Sequence, residues 1–154
     1  MVVYLLWLIN QSGQQMLKVE FMDSSLVFGD LGRNRDLHLH FASVVFGVYS
    51  MTREITPNCP PLQSPGMQLI EAAEHNLHVF EAVSGVKFLL FTDPSTFNCD
   101  ALFQELYILY VDFVVKNPFH TIDVAGIGQP IQIPAFEEAV KGTVQKYNEP
   151  VGRR

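Results

Sequence analysis

Leu77-His78-Val79-Phe80-Glu81-Ala82-Val83-Ser84-Gly85-Val86-Lys87-Phe88-Leu89-Leu90-Phe91 consists of two apolar runs around a Ser-Gly pair. Residues 77–83 alternate, with Leu77, Val79 and Glu81 opposite His78, Phe80 and Ala82. A period of two marks a β-strand. Ser84-Gly85 is a two-residue turn signal, so the stretch predicts a tight hairpin. Residues 86–91 are apolar except for Lys87. Such a run fits a strand covered on both faces.

Working outward, residues 2–9 form a second uninterrupted apolar run. It is far short of the ~20 residues that cross a bilayer. No Lys or Arg precedes it, and Asn10 and Gln11 follow in place of a small-residue cleavage site. It reads as a buried strand and not as a leader. After a polar turn with Gly13, residues 16–22 alternate as Met16, Val19 and Phe21 against Lys18 and Glu20, imperfectly around Leu17. Residues 67–72 make a further short strand. The two continuous apolar strands belong at the centre of one antiparallel sheet and the alternating ones towards its edges.

Three helices complete the pattern. Residues 34–54 carry Leu37, Phe41, Val44, Val45, Val48 and Thr52 on one helical face. Asn34 or Asp36 can cap the start, and Pro57 with Pro60-Pro61 ends it before a proline-rich connector. Residues 98–116 form the second helix, which Pro118 stops. Residues 135–147 form the third, with Phe136, Val140 and Val144 on one face. The order β-β-α-β-β-β-α-α predicts an α/β (α+β) domain over 1–149. Its five-stranded antiparallel sheet lies between the first helix and the later two, and 150–154 fray.

Composition narrows the function. The 154 residues are 48% hydrophobic and only 17% charged, with net charge −6. Average domains are about 25% charged. An acidic balance argues against nucleic acid and against an anionic membrane surface as partners. Two cysteines, Cys59 and Cys99, are too few for a disulfide framework and read as free cytosolic thiols.

Little here reads as catalytic. His38 and His40 are two apart on a helix and cannot share a metal ion. His75 and His78 face opposite sides near a strand, and His120 sits beside a proline turn without a partner. Gly29-Asp30-Leu31-Gly32 lacks the Lys-Ser/Thr ending of a phosphate loop. Cys99 lies at a helix start, but adjacent Asp100 opposes thiolate formation. We expect no catalytic residue, cofactor or metal.

The second helix carries more apolar surface than a sheet can cover. Its polar stripe is narrow, with Glu105 and Asp112 within ~20° of each other. Phe103, Tyr107, Tyr110, Phe113 and Val114 crowd the remaining arc. Two readings fit. The third helix and the following loop cover the excess, or these rings meet another chain, tyrosine being a favoured interface residue. Lys116, Asn117, Pro118 and Phe119 extend this candidate surface. Asn117 either bonds backbone across an interface or caps the helix, and Phe119 either anchors a partner or fills the core.

The stretch from Leu77 to Phe88, then Thr92-Asp93-Pro94, and the segment Tyr107-x-x-Tyr110-x-Asp112-Phe113-x-x-Lys116-Asn117-Pro118-Phe119 resemble the sybindin-like subunits of the TRAPP vesicle-tethering complex. The resemblance covers about residues 37–140 and, more loosely, the N-terminal hairpin. It implies a longin/profilin-like fold with the element order read above. It implies other TRAPP subunits as partners, and a Rab GTPase reached through the assembled complex in transport from endoplasmic reticulum to Golgi. It also implies a cytoplasmic location peripheral to those membranes, without direct insertion. The smaller TRAPP paralogue and other longin-type modules, such as an adaptor small chain, share these features. Animal relatives can carry a PDZ-like insertion between the second strand and the first helix, for which 23–36 is far too short.

Overall fold

A computed structural model describes residues 1–22, 29, 34–55, 66–120 and 129–149. Five strands, β1 (Val3–Ile9), β2 (Gln15–Glu20), β3 (Leu69–Glu71), β4 (Asn76–Glu81) and β5 (Lys87–Thr92), form one sheet. Its order is β2-β1-β5-β4-β3, and every neighbouring pair is antiparallel. The helices are α1 (Arg35–Ile55), α2 (Asp100–Tyr110) and α3 (Pro134–Asn148). The observed order is the β-β-α-β-β-β-α-α of the sequence reading. The 56–65 connector, most of 23–33, residues 121–128 and the 150–154 tail lie outside the described residues, and with them Cys59 and the Asp30-Leu31-Gly32 segment.

The two uninterrupted apolar runs, β1 and β5, lie side by side at the centre of the sheet. Alternation divides β1 between two cores. Leu5, Trp7 and Ile9 join Leu77, Val79, Leu89 and Phe91 under α1. Leu6 and Leu8 join Phe88, Leu90, α2 and α3 on the opposite face. Both faces of the central strands are covered, which is why neither strand alternates in polarity. The irregularity at Leu17 is a β-bulge. Pairing passes from Leu8↔Leu17 to Ile9↔Gln15, so Met16 is the extra residue. Met16 and Leu17 then bury in the same core. The predicted hairpin closes with Gly85 at φ +84°, a left-handed conformation that glycine adopts freely.

The α1 helix corrects the predicted face. Its buried residues are His38, Ala42, Val45 and Tyr49. Of the predicted set only Val45 is buried, Phe41 and Thr52 are half-buried, and Leu37, Val44 and Val48 are exposed. At its N-terminal end the sheet takes His38 and Ala42 in place of Leu37 and Val44 because the indole of Trp7 rises from β1 to fill the space beneath. Trp7 packs edge-on against both His38 and Phe41.

Candidate functional site

Helix α2 starts where Asn98 places its side-chain oxygen 2.8 Å from the Asp100 N–H. Leu102, Phe103, Leu106 and Tyr110 then turn into the core. Phe103 stacks on Phe80 at 5.4 Å, and Tyr110 stands edge-on to Phe88 at 5.7 Å. Three residues expected at a partner surface, Phe103, Tyr110 and Val114, are therefore core residues, Tyr110 being only 2% exposed. The sheet and α3 absorb the wide apolar arc. Tyr107 and Phe113 are half-buried at the margin of the same core, facing Phe80 and Phe136.

Past Tyr110 the helix widens. Val111–Val115 is a π-helical turn, and the Lys116 N–H bonds the Val111 carbonyl at 3.0 Å. Such turns recur at functional sites. Lys116 Nζ pairs with exposed Asp112 at 2.7 Å. The Asn117 N–H ties back to the Val114 carbonyl, while its side-chain oxygen accepts the Phe119 N–H at 3.0 Å. This turn, after exposed Pro118, leaves Phe119 92% exposed, so Phe119 fills no core. Ile108 and Val115 are the exposed apolar residues of the preceding helix.

The larger apolar surface is on α1, which the sequence reading assigned to the sheet. Leu37, Val44, Val48, Met51 and Ile55 are all exposed, Val44 at 61%, Met51 at 63% and Ile55 at 72%. At 100° per residue they fall within about 40° of one line, roughly 110° around the helix from the buried stripe. The line is about 27 Å long. Scattered exposed apolar residues are ordinary, but a contiguous file of them marks an interaction surface. Two apolar stripes on one helix were visible in the sequence. What hid the second was the assumption that leucine and valine outrank histidine and alanine for the sheet-facing positions.

The chemistry-bearing side chains are used in packing. His38 is buried under α1, with Nε2 3.0 Å from Lys18 Nζ, whereas His40 is exposed. His78 is buried. Its Nε2 lies 3.2 Å from the Thr96 carbonyl and 3.1 Å from Thr92 Oγ1. A carbonyl only accepts, so Nε2 carries the proton. Burial holds the His78 pKa below its ordinary value. Asn76 bonds the Pro94 and Thr96 carbonyls beside it. Asp93 accepts from the Ser95 and Thr96 hydroxyls and from the Val2 N–H. Burial alone would raise its pKa, but these donors hold it at about 2. Cys99 is buried, and desolvation, reinforced by Asp100 and Asp93, pushes its thiol up to about 12. That is the reverse of what a nucleophile needs. Among the described residues no three His, Cys, Asp or Glu side chains are grouped to hold a metal ion, and no helix is long and apolar enough to cross a membrane.

The α1 stripe and the Ile108–Val115–Phe119 surface belong to helices on opposite faces of the sheet. The two exposed apolar surfaces thus lie on opposite sides of the molecule.

Comparison with known proteins finds a family and relatives. The family model described as "Sybindin-like family" matches residues 3–147. "Trafficking protein particle complex subunit 4" of Bos taurus is 27% identical over 117 residues, 76% of this chain and 50% of that protein. The chain thus spans about half the length of the first mammalian relatives. The protein of the same name from Dictyostelium discoideum is 23% identical over 124 residues, 80% of this chain and 86% of that one. "Transport protein particle subunit bet5" of Schizosaccharomyces pombe is 28% identical over 87 residues, 56% of this chain and 53% of that one. Among solved structures, Myxococcus xanthus MglB aligns at a TM-score of 0.45 and 16% identity, over 62% of this chain and 68% of that one.

Proposed function

The chain belongs to the Sybindin-like family, and from that premise we propose that it is a non-catalytic subunit of a trafficking protein particle complex. The observation that carries this reading is the α1 stripe of Leu37, Val44, Val48, Met51 and Ile55, which is exposed among the described residues. Relatives named as complex subunits support the same assignment. The subunit-4 type is favoured because that match extends over 76% of the chain, against 56% for bet5. The subunit-1 type, which relatives of that name also match, is the second reading.

In its finer form the proposal places the chain in endoplasmic reticulum-to-Golgi transport, peripheral to those membranes. There it supports nucleotide exchange on a Rab GTPase from within the assembled complex. No catalytic side chain is required. A composite surface that binds the nucleotide-free GTPase better than the loaded form weakens nucleotide binding by linkage. Lys116, Asn117, Pro118 and Phe119, with the margins of Tyr107 and Phe113, are the part of this chain offered to that surface. The α1 stripe is offered to a sibling subunit.

The test is reconstitution with sibling subunits from the same source. The wild-type chain is expected to form a stable complex, and Met51→Glu and Val48→Glu to abolish it while circular dichroism stays unchanged. A chain that remains monomeric with every sibling, or variants that assemble normally, would sink the reading. Phe119→Ala is expected to assemble but to lower exchange by the complex. Unchanged exchange removes Phe119 from the GTPase surface.

A further inference from the structure

The C-terminal part of α1 presents the most exposed apolar residues of the docking stripe, Met51 and Ile55, yet after Tyr49 none of its residues is fully buried. Apolar packing therefore does little to fix the end that a partner would meet. A polar cluster stands beside it. Glu81, at the end of β4, receives the Tyr49 hydroxyl on Oε2 at 2.5 Å. Arg53 Nη1 approaches Oε1 at 3.7 Å and Lys87 Nζ at 3.4 Å. Tyr49 and Arg53 are one helical turn apart on α1, and Lys87 opens β5. The Lys87 side chain is only 5% exposed. Its ammonium lies 5.2 Å from the Phe46 ring centroid and 5.0 Å from that of Tyr49, and it donates to the Gly85 carbonyl. A cleft of about 510 Å³ opens over the cluster.

We infer that Glu81 is a positioning residue for docking, holding the last turns of α1 in the orientation that a sibling subunit recognises. The inference rests on the α1 stripe being the sibling's site, as proposed above. An isolated surface pair such as Arg53–Glu81 contributes little. Here the carboxylate is shared by one hydroxyl donor and two cations, one of them buried, and such networks hold more than separate pairs. A helix end fixed before association loses less freedom on binding, which raises affinity without a new contact. The paired arrangement also limits which way α1 can lean. The Tyr49 ring sits between the Glu81 hydrogen bond and the Lys87 ammonium.

The test uses the full chain and two readouts. Hydrogen exchange is followed at amides 51–55 and, as a control, at 42–49. Affinity is measured for the sibling subunit captured by the wild type. Arg53→Met removes one cation and leaves Lys87 paired with Glu81. Glu81→Gln with Lys87→Met removes both charges together, so that Lys87 is not left buried without its carboxylate. Both variants are expected to exchange about tenfold faster at 51–55 only, and to bind the sibling several-fold more weakly. Unchanged exchange at 51–55 in both overturns the inference. So does faster exchange with wild-type affinity while Met51→Glu abolishes binding. If Met51→Glu binds normally, the docking reading itself fails and the affinity role of Glu81 falls with it.

Discussion

Trp7 on β1 and His38 on α1 meet edge to face, with ring centroids 5.1 Å apart and planes at 79°. Both are buried, and the contact carries the helix on the sheet. Trp7 also packs edge-on against Phe91 of β5 at 5.1 Å, so one ring joins the helix and both central strands.

Trp7→Ala is therefore expected to be among the most damaging single changes. Removing a buried aromatic ring costs about 3–5 kcal/mol. Chemical denaturation should show that loss, whereas His38→Leu, which keeps most of the packing, should cost well under half as much.

Tyr110 and Met51 should respond to an introduced carboxylate in opposite ways. On the partner-surface reading of the sequence, Tyr110→Glu would interrupt binding and spare the fold. In the structure Tyr110 is core, so a carboxylate there loses several kcal/mol. Tyr110→Glu should be unfolded by circular dichroism. Met51→Glu should remain within about 0.5 kcal/mol of wild type and fail in assembly.

Acid should destabilise the chain in two separate windows. His75 and His78 are both held below their ordinary pKa by burial. Above pH 6.5 both folded and unfolded forms are neutral, and these residues leave stability flat. As pH falls below 6.5 the unfolded chain takes up protons first, so stability drops. His78→Gln, which can still donate to the Thr96 carbonyl, should flatten part of that slope. Asp93 acts lower down. Its stabilisation is full above the unfolded carboxylate value of 3.8 and is lost as pH falls towards about 2. Melting temperature measured from pH 8 to pH 2 resolves the two, and Asp93→Asn should remove only the second.

Cys99 should resist alkylation. With its thiol pushed up to about 12 and buried, the thiolate fraction at pH 8 is about one in ten thousand. In a Cys59→Ser background, the native chain should react with iodoacetamide far more slowly than the same chain in denaturant. Comparable rates would show that the α2 start opens readily.

Much of the architecture was legible because it is encoded by contrasts the chain states plainly. The uninterrupted runs at β1 and β5 differ from the alternating β4, and that difference alone places the former at the sheet centre. The site was less legible for a physical reason. Hydropathy records how apolar a residue is but not which of two apolar stripes meets the sheet. On α1 the choice turns on Trp7, a residue far away in sequence, whose bulk suits His38 and Ala42 above it. On α2 the excess of apolar residues divides between core and surface. Phe103, Tyr110 and Val114 are consumed by the core, while Ile108, Val115 and Phe119 remain outside.

The central position of β1 has a consequence for synthesis. Its partner β5 begins at Lys87, so the backbone edge of Val3–Ile9 that pairs there waits some eighty residues for its neighbour. At about 5–20 residues per second, the ribosome takes several seconds or more to deliver it. For that interval the nascent chain presents a sticky strand with only the β2 hairpin to occupy it, so early chaperone engagement should fall on the first nine residues. A pause introduced between codons 20 and 87 should lower the yield of soluble protein without altering a single side chain.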